Sequence, residues 1–165
     1  MKHWIAIYTK PRHEKTTALA LEEKGFKTYL PIVKERRKWS DRKKWVEFPL
    51  FKSYLFVQCE LKEGLFVLQT TGVVKLFKFG EEIAIVSPRV IESLRLLIEG
   101  GYTPEPLDYF IQGDKVEVRE GAMKGIEGEV IRIDKEDRLL VRVDAIQHSV
   151  SVSIHRGYLK SVKSS

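Results

Sequence analysis

The chain has 165 residues, 43% of them hydrophobic and 32% charged, with 29 Lys plus Arg against 23 Asp plus Glu and a net charge of +6. This composition supplies enough apolar material for a core and excludes a disordered or collagen-like polymer. No apolar run approaches the roughly 20 residues that span a bilayer, the opening MKHWIAIYTKPRHEK turns charged too early for a signal peptide, and the single cysteine, Cys59, can form no internal disulfide. A cytoplasmic protein, with no membrane contact, is the expectation.

The elements follow in chain order. In His3–Trp4–Ile5–Ala6–Ile7–Tyr8 the alternation of a strand sends Ile5 and Ile7 one way and Trp4 and Tyr8 the other. Pro11 suits the first turn of a helix, and Arg12 to Lys24 is rich in helix formers before Gly25 stops it. Phe26 to Val33 and Trp45 to Phe48 read as strands joined through a basic segment, with Ser40–Asp41 as the turn of a long hairpin. Tyr54 to Cys59 alternates again, Tyr54 and Phe56 opposite Leu55, Val57 and Cys59. A short helix from Leu61 to Gln69, strands at Val73–Phe79 and Ile83–Val86, and an amphipathic helix capped by Ser87 and ended by Gly100–Gly101 complete the first 100 residues. Its apolar stripe of Val90, Ile91, Leu94, Leu97 and Ile98 is expected to cover an aliphatic layer of Ile5, Ile7, Leu55 and Val57.

Residues 101–109 contain Pro104 and Pro106 and read as a semi-stiff linker. Short strands then follow at Lys115–Arg119, Gly128–Ile133, Leu139–Val143, Ser149–Ile154 and Leu159–Val162, with glycines at 121, 125 and 128, the pattern of a small β-barrel. The expected architecture is therefore α+β: a domain over 1–100 with an antiparallel sheet and helices on one face, a linker over 101–109, and a barrel over 110–165.

His3, His13, His148 and His155 lack metal-ligand spacing, no CxxC or HxxxH pattern occurs, and no glycine-rich loop opens a helix. Cys59 falls on an aliphatic face and reads as core. Neither a metal nor a cofactor is implied, and a binding protein is favoured over an enzyme. Two features ask for a partner. The first is the face carrying Trp4, Tyr8, Tyr54 and Phe56, which helices on the other side of the sheet would leave uncovered unless the barrel or a second copy covers it. The second is charge: residues 1–60 carry 14 basic and 7 acidic side chains, and the densest stretch, Lys34 to Lys44, holds Arg36, Arg37, Lys38, Arg42, Lys43 and Lys44. Such a field suits nucleic acid, the alternative being a solvated hairpin. Trp39 and Trp45 are expected to pair across that hairpin and stabilise it.

WIAIYTKPRHEK, RKWSDRKKWVEFPLFKSYLFV, TGVVKLFKFGEEIAIVS and GDKVEVREGAMKGIEGEV together resemble the NusG family of transcription elongation factors, and most closely its specialised members of the RfaH and UpxY kind. The first domain is similar to the NusG N-terminal (NGN) domain. The last motif is similar to KOW, where Gly125 or Gly128 would hold the tight position. The resemblance implies an elongation or antitermination factor, acting at a restricted set of operons as a monomer. It would bind the β′ clamp helices of RNA polymerase through Tyr54 and Phe56, with Trp4 and Tyr8 beside them. Lys10, Arg12, His13 and Thr16 stand where such proteins touch non-template DNA. Glu63–Gly64–Leu65–Phe66 replaces the threonine-rich gate-loop motif. The barrel would recruit Rho or a small-subunit ribosomal protein. A general NusG that also serves Rho-dependent termination, and a KOW-type ribosome-associated or RNA-binding protein, are the alternatives. Some RfaH-like barrels first fold as a helical hairpin, but the β-branched alternation of Ser149 to Ile154 and the glycines at 121, 125 and 128 favour a permanent barrel here.

Overall fold

The structure is a computed structural model that describes residues 1–39, 42–102, 104–107, 109 and 112–162, without the side chains of Arg37, Trp39 and Pro106. The expected turn at Ser40–Asp41 lies outside the described residues. The chain divides into two compact units, Met1–Ser87 and Pro88–Ser165.

The first unit runs β1 (His3–Thr9), α1 (Glu14–Glu23), β2 (Lys27–Tyr29), β3 (Ile32–Trp39), β4 (Arg42–Pro49), β5 (Tyr54–Cys59), α2 (Gly64–Leu68), β6 (Val73–Leu76), β7 (Lys78–Phe79), β8 (Glu82–Ile83) and β9 (Ile85–Val86). Its main sheet has the order β2-β5-β1-β6, with β9 also paired to β1, and β3–β4 forms a separate two-stranded sheet. β1 and β5 are antiparallel in a register that sets Ile5 opposite Val57 and Ile7 opposite Leu55. Directly opposite residues share a face, and this one buries Ile5, Ile7, Leu55, Val57 and Cys59 with Ala18 and Leu21 of α1, Phe26, and Val67 of α2. Burial pushes the Cys59 thiol up to about 11, with the Glu63 carboxylate adding to the shift. It is a core side chain.

The layer over these aliphatics is therefore supplied by α1 and α2, which corrects the expectation that the later amphipathic helix covers them. That helix, α3 (Pro88–Glu99), groups with the second unit. It lies against a strand there, β13 (Glu136–Val143). The remaining strands are β10 (Glu105–Leu107), β11 (Asp114–Val118), β12 (Glu127–Ile133), β14 (His148–Ser153) and β15 (Leu159–Ser161). They make one antiparallel sheet of order β10-β14-β13-β12-β11-β15. Part of the stretch expected as a linker is thus β10, paired with β14 through Glu105 opposite Ser151. Arg138 crosses this edge, donating to Ser151 Oγ at 2.9 Å and pairing with Glu105 at 3.2 Å. Arg89 at the start of α3 pairs with Glu127 at 2.6 Å. Leu139, Val141, Val150 and Val152 are buried in this sheet.

Among the described residues, no helix is long and apolar enough to cross a membrane. Gly128 shows why the motif around it needs a glycine: a Cβ there would lie 2.5 Å from the Leu140 carbonyl oxygen on the neighbouring strand. Gly128→Ala is expected to cost about 1–3 kcal/mol through forced backbone shifts, read as a fall in Tm of about 4–8 °C per kcal/mol. Because β12, β13 and β14 are formed in the full chain, backbone chemical shifts of the full-length protein should report strand within Glu127–Ile133, Glu136–Val143 and His148–Ser153. Helical shifts there would contradict the fold.

Candidate polymerase and nucleic-acid surfaces

The face of the main sheet opposite the aliphatic core is built by the other residues of β1 and β5. Tyr8 sits opposite Tyr54, Ala6 opposite Phe56, and Trp4 opposite Gln58. The four aromatics expected on this face do share it, but they do not stand equally open. Phe56 is 0% exposed and Trp4 6%. Phe56 is enclosed by a stacked Tyr29 ring at 6.4 Å and an edge-on Phe51 ring at 6.4 Å. Trp4 lies in the middle of the sheet, opposite Gln58 on one side and Val86 on the other. The expectation that all four are uncovered is corrected accordingly.

What remains half-open is a three-ring cluster. Tyr8 and Tyr54 meet edge to face at 5.6 Å, Phe77 lies 5.2 Å from Tyr54, and Phe77 lies 6.4 Å from Tyr8. Lys75 Nζ sits over the Phe77 ring at 5.3 Å and over Tyr8 at 5.7 Å, a cation–π arrangement. Burial raises the Tyr54 hydroxyl above its ordinary value, and the neighbouring Tyr8 raises it further.

Phe77 was not a sequence candidate, and a bulge explains why. Thr9 pairs with Val73 but Tyr8 pairs with Lys75, so Val74 is an extra residue on β6. Plain alternation would put Val73 and Phe77 on one face. The bulge sends Val73 and Leu76 to the core and leaves Lys75 and Phe77 beside Tyr8.

A second unforeseen residue fixes this corner. Glu14, the first residue of α1, is 8% exposed, and its Oε1 accepts the Ser53 backbone N–H at 3.0 Å. Ser53 has φ of 67°, and its carbonyl accepts the Thr9 N–H at 2.8 Å. The buried carboxylate thus holds the left-handed turn from which Tyr54 emerges.

The expected nucleic-acid residues fall into two groups on separate elements. Lys10, Arg12 and His13 are exposed together where β1 enters α1, with Thr16 in the first turn of the helix. The helix begins at Glu14, so Pro11 is not in its first turn. Instead Lys10 to His13 form a turn closed by the His13 N–H on the Lys10 carbonyl at 3.0 Å, with Arg12 at φ of 65°. Proline followed by a positive φ is a type II arrangement, here displaying an arginine where glycine is usual. The His13 ring contacts the Pro11 carbonyl at 2.8 Å and the Thr16 hydroxyl donates to the His13 carbonyl at 3.1 Å. The carbonyl of Gly72, a residue at φ of 95°, accepts the Lys10 N–H from the other side, at 3.0 Å.

The second group lies on the β3–β4 hairpin, where Arg36, Lys38, Arg42, Lys43 and Lys44 are exposed. The side chain of Arg37 is outside the described residues, but its backbone pairs with Lys44, and Lys38 pairs with Lys43. Trp39 pairs with Arg42 and Trp45 with Arg36, so the two tryptophans are not cross-strand partners. That corrects the expectation that they pair. Among the described residues, no group of three or more His, Cys, Asp or Glu side chains is arranged to hold a metal ion.

The family model described as "Transcription termination factor nusG" matches residues 2–95, more than half of the chain. The solved structure "Domain interaction in Thermotoga maritima NusG" is similar over 99% of this chain and 98% of that one, at 21% identity and a TM-score of 0.53, which shows a shared fold. The MjSpt4:Spt5 complex in its conformation B matches 98% of this chain and 97% of the other at 22% identity, with a TM-score of 0.32.

Glu14→Ala would leave the buried Ser53 N–H without its acceptor and is expected to destabilise the protein by about 1–3 kcal/mol. Glu14→Gln, whose amide oxygen can accept the same bond, should recover most of it. Paired urea melts of the two variants check this.

Proposed function

The chain belongs to the NusG family of transcription factors, and from that premise we propose that it rides on RNA polymerase to promote elongation or antitermination. The observation that carries the reading is the half-open cluster of Tyr8, Tyr54 and Phe77, three aromatic rings on the sheet face that α1 and α2 do not use. Aromatic residues at the centre of a binding face supply most of the affinity of typical interfaces. The resemblance in PLFKSYLFV directs this surface to the clamp helices of the polymerase β′ subunit. In this reading Tyr8 and Tyr54 are the contacting anchors, while Trp4 and Phe56 are buried elsewhere on the same sheet face.

Nucleic acid is the second proposed partner. Lys10, Arg12, His13 and Thr16 lie at a turn whose shape is fixed by backbone bonds, and they would hold the non-template DNA strand. Arg36, Arg37, Lys38, Arg42, Lys43 and Lys44 would add backbone charge contacts from the hairpin. The second unit, similar in sequence to KOW, would recruit Rho or a ribosomal small-subunit protein. We favour a specialised factor serving a restricted set of operons over a general NusG. A transcription assay on a Rho-dependent terminator separates the two, since the specialised factor should raise read-through and the general one should raise termination.

Tyr8→Ala with Tyr54→Ala should lower polymerase affinity by about 2 kcal/mol or more per anchor while Trp4 and Phe56 keep the sheet folded. Co-purification with polymerase, alongside thermal melts, checks this; undiminished binding by a folded double variant would refute the assignment. Replacing the six hairpin cations by Ser should flatten the salt dependence of DNA binding. On duplex DNA the slope of log K against log salt should fall by about 0.9 for each phosphate the variant no longer neutralises.

A further inference from the structure

The hairpin carries one residue that charge alone does not use. Trp45 is 66% exposed, on a strand whose neighbours are mostly Lys and Arg. The register puts Arg36 directly opposite it, and the pleat puts Lys34, Lys38, Lys43 and Glu47 on the same face around it. Lys34 Nζ is 3.5 Å from Glu47 Oε1. Lys34, Trp45 and Glu47 line a shallow cavity of about 450 Å³, within the usual size range of small-ligand sites. An indole is therefore held open beside a depression, with four cations on its face of the hairpin.

We propose that this face of the β3–β4 hairpin is a stacking platform for single-stranded DNA, with an unpaired base lying on Trp45 and the flanking phosphates on Arg36, Lys38 and Lys43. The choice of single strand rests on the indole. Bases in a duplex are already stacked on one another and offer only their edges, so a duplex would engage the cations and leave Trp45 idle. The choice of DNA rests on the acceptors. A ribose 2′-hydroxyl is recognised partly through the hydrogen bond it donates, and the side chains around Trp45 are donors except Glu47, which is engaged by Lys34. This face therefore offers ribose little that deoxyribose lacks. The identity of the strand as one exposed beside a polymerase rests on the function proposed above; the stacking chemistry does not.

The test uses the full-length chain and a labelled strand of about 12 thymidines, a length within the usual site sizes of single-strand binders. Fluorescence anisotropy compares it with a duplex and an RNA strand of equal length. Trp45→Leu keeps every charge but removes the π face. It should weaken single-strand binding at least about fivefold, the lower end of what one stacked base contributes, with duplex binding nearly unchanged and the salt slope of the wild type. Trp45→Phe should restore most of the loss, which separates stacking from any damage to the hairpin. Equal losses on single strand and duplex, no recovery by Phe over Leu, or RNA binding about tenfold tighter than DNA, a difference of about 1.4 kcal/mol, would each overturn the platform. Polymerase co-purification by Trp45→Leu should match the wild type. If the wild-type chain fails to bind polymerase while the Trp45-dependent single-strand binding stands, the proposed function falls and the platform does not.

Discussion

The antiparallel register of β1 against β5 is the constraint on which the first unit depends. Ile5 opposite Val57 and Ile7 opposite Leu55 bring the aliphatic residues of both strands to one face, where α1 and α2 bury them. The same register necessarily brings Tyr8 to Tyr54 and Ala6 to Phe56 on the other face. A slip of one residue would exchange the faces, exposing several aliphatic side chains whose burial is worth about 1.5–3 kcal/mol each. The aromatic surface is thus not a separate feature added to the fold. It is the complement of the core, and it is held in place by the energy that holds the core.

Two local devices then convert an aromatic face into a defined cluster. The extra residue at Val74 lets β6 keep Val73 and Leu76 in the core while turning Lys75 and Phe77 toward Tyr8. Bulges of this kind re-aim side chains without disturbing the rest of the ladder. Glu14 stabilises the other boundary, because its bond to the Ser53 N–H fixes a turn that an L-residue adopts reluctantly. Both devices act at the C-terminal end of β1, so the strand at the centre of the core also aligns the three rings.

The strands with strong alternation, β1, β5 and β14, were legible from sequence, and so was the division of β1 and β5 into two faces. Depth was not. Alternation reports which side a residue occupies, and it treats Phe56 and Tyr54 alike although Phe56 alone is fully buried, between Phe51 and Tyr29. The partner of α3 was not legible either, since an apolar stripe says that a helix must be covered and not which sheet covers it. Pro104 and Pro106 suggested a linker, yet residues 105–107 form β10. It is the terminal strand of its sheet, where a missing N–H donor is tolerated. Phe77 was hidden by a bulge, which changes parity without leaving a compositional mark. The Glu14–Ser53 bond joins residues 39 positions apart, and no local pattern announces it.

The hairpin poses the reverse problem, since its sequence signal is strong while its physics is unfavourable. Lys38 opposite Lys43 places like charges in direct cross-strand register, an arrangement that destabilises a sheet by a few tenths of a kcal/mol or more per pair. Two-stranded hairpins are marginal in water even without this repulsion. Burial helps at the base, where Val33 is enclosed and Ile32, Phe48 and Pro49 are half-buried. The Lys34–Glu47 ion pair adds compensation next to that base, well short of the tip. A polyanion laid along the outer half would remove the repulsion. Binding and hairpin stability are therefore coupled, and charge reversals at Lys38 or Lys43 should stabilise the free hairpin while weakening nucleic-acid contact. A mutation that merely damaged the fold would move both quantities in the same direction.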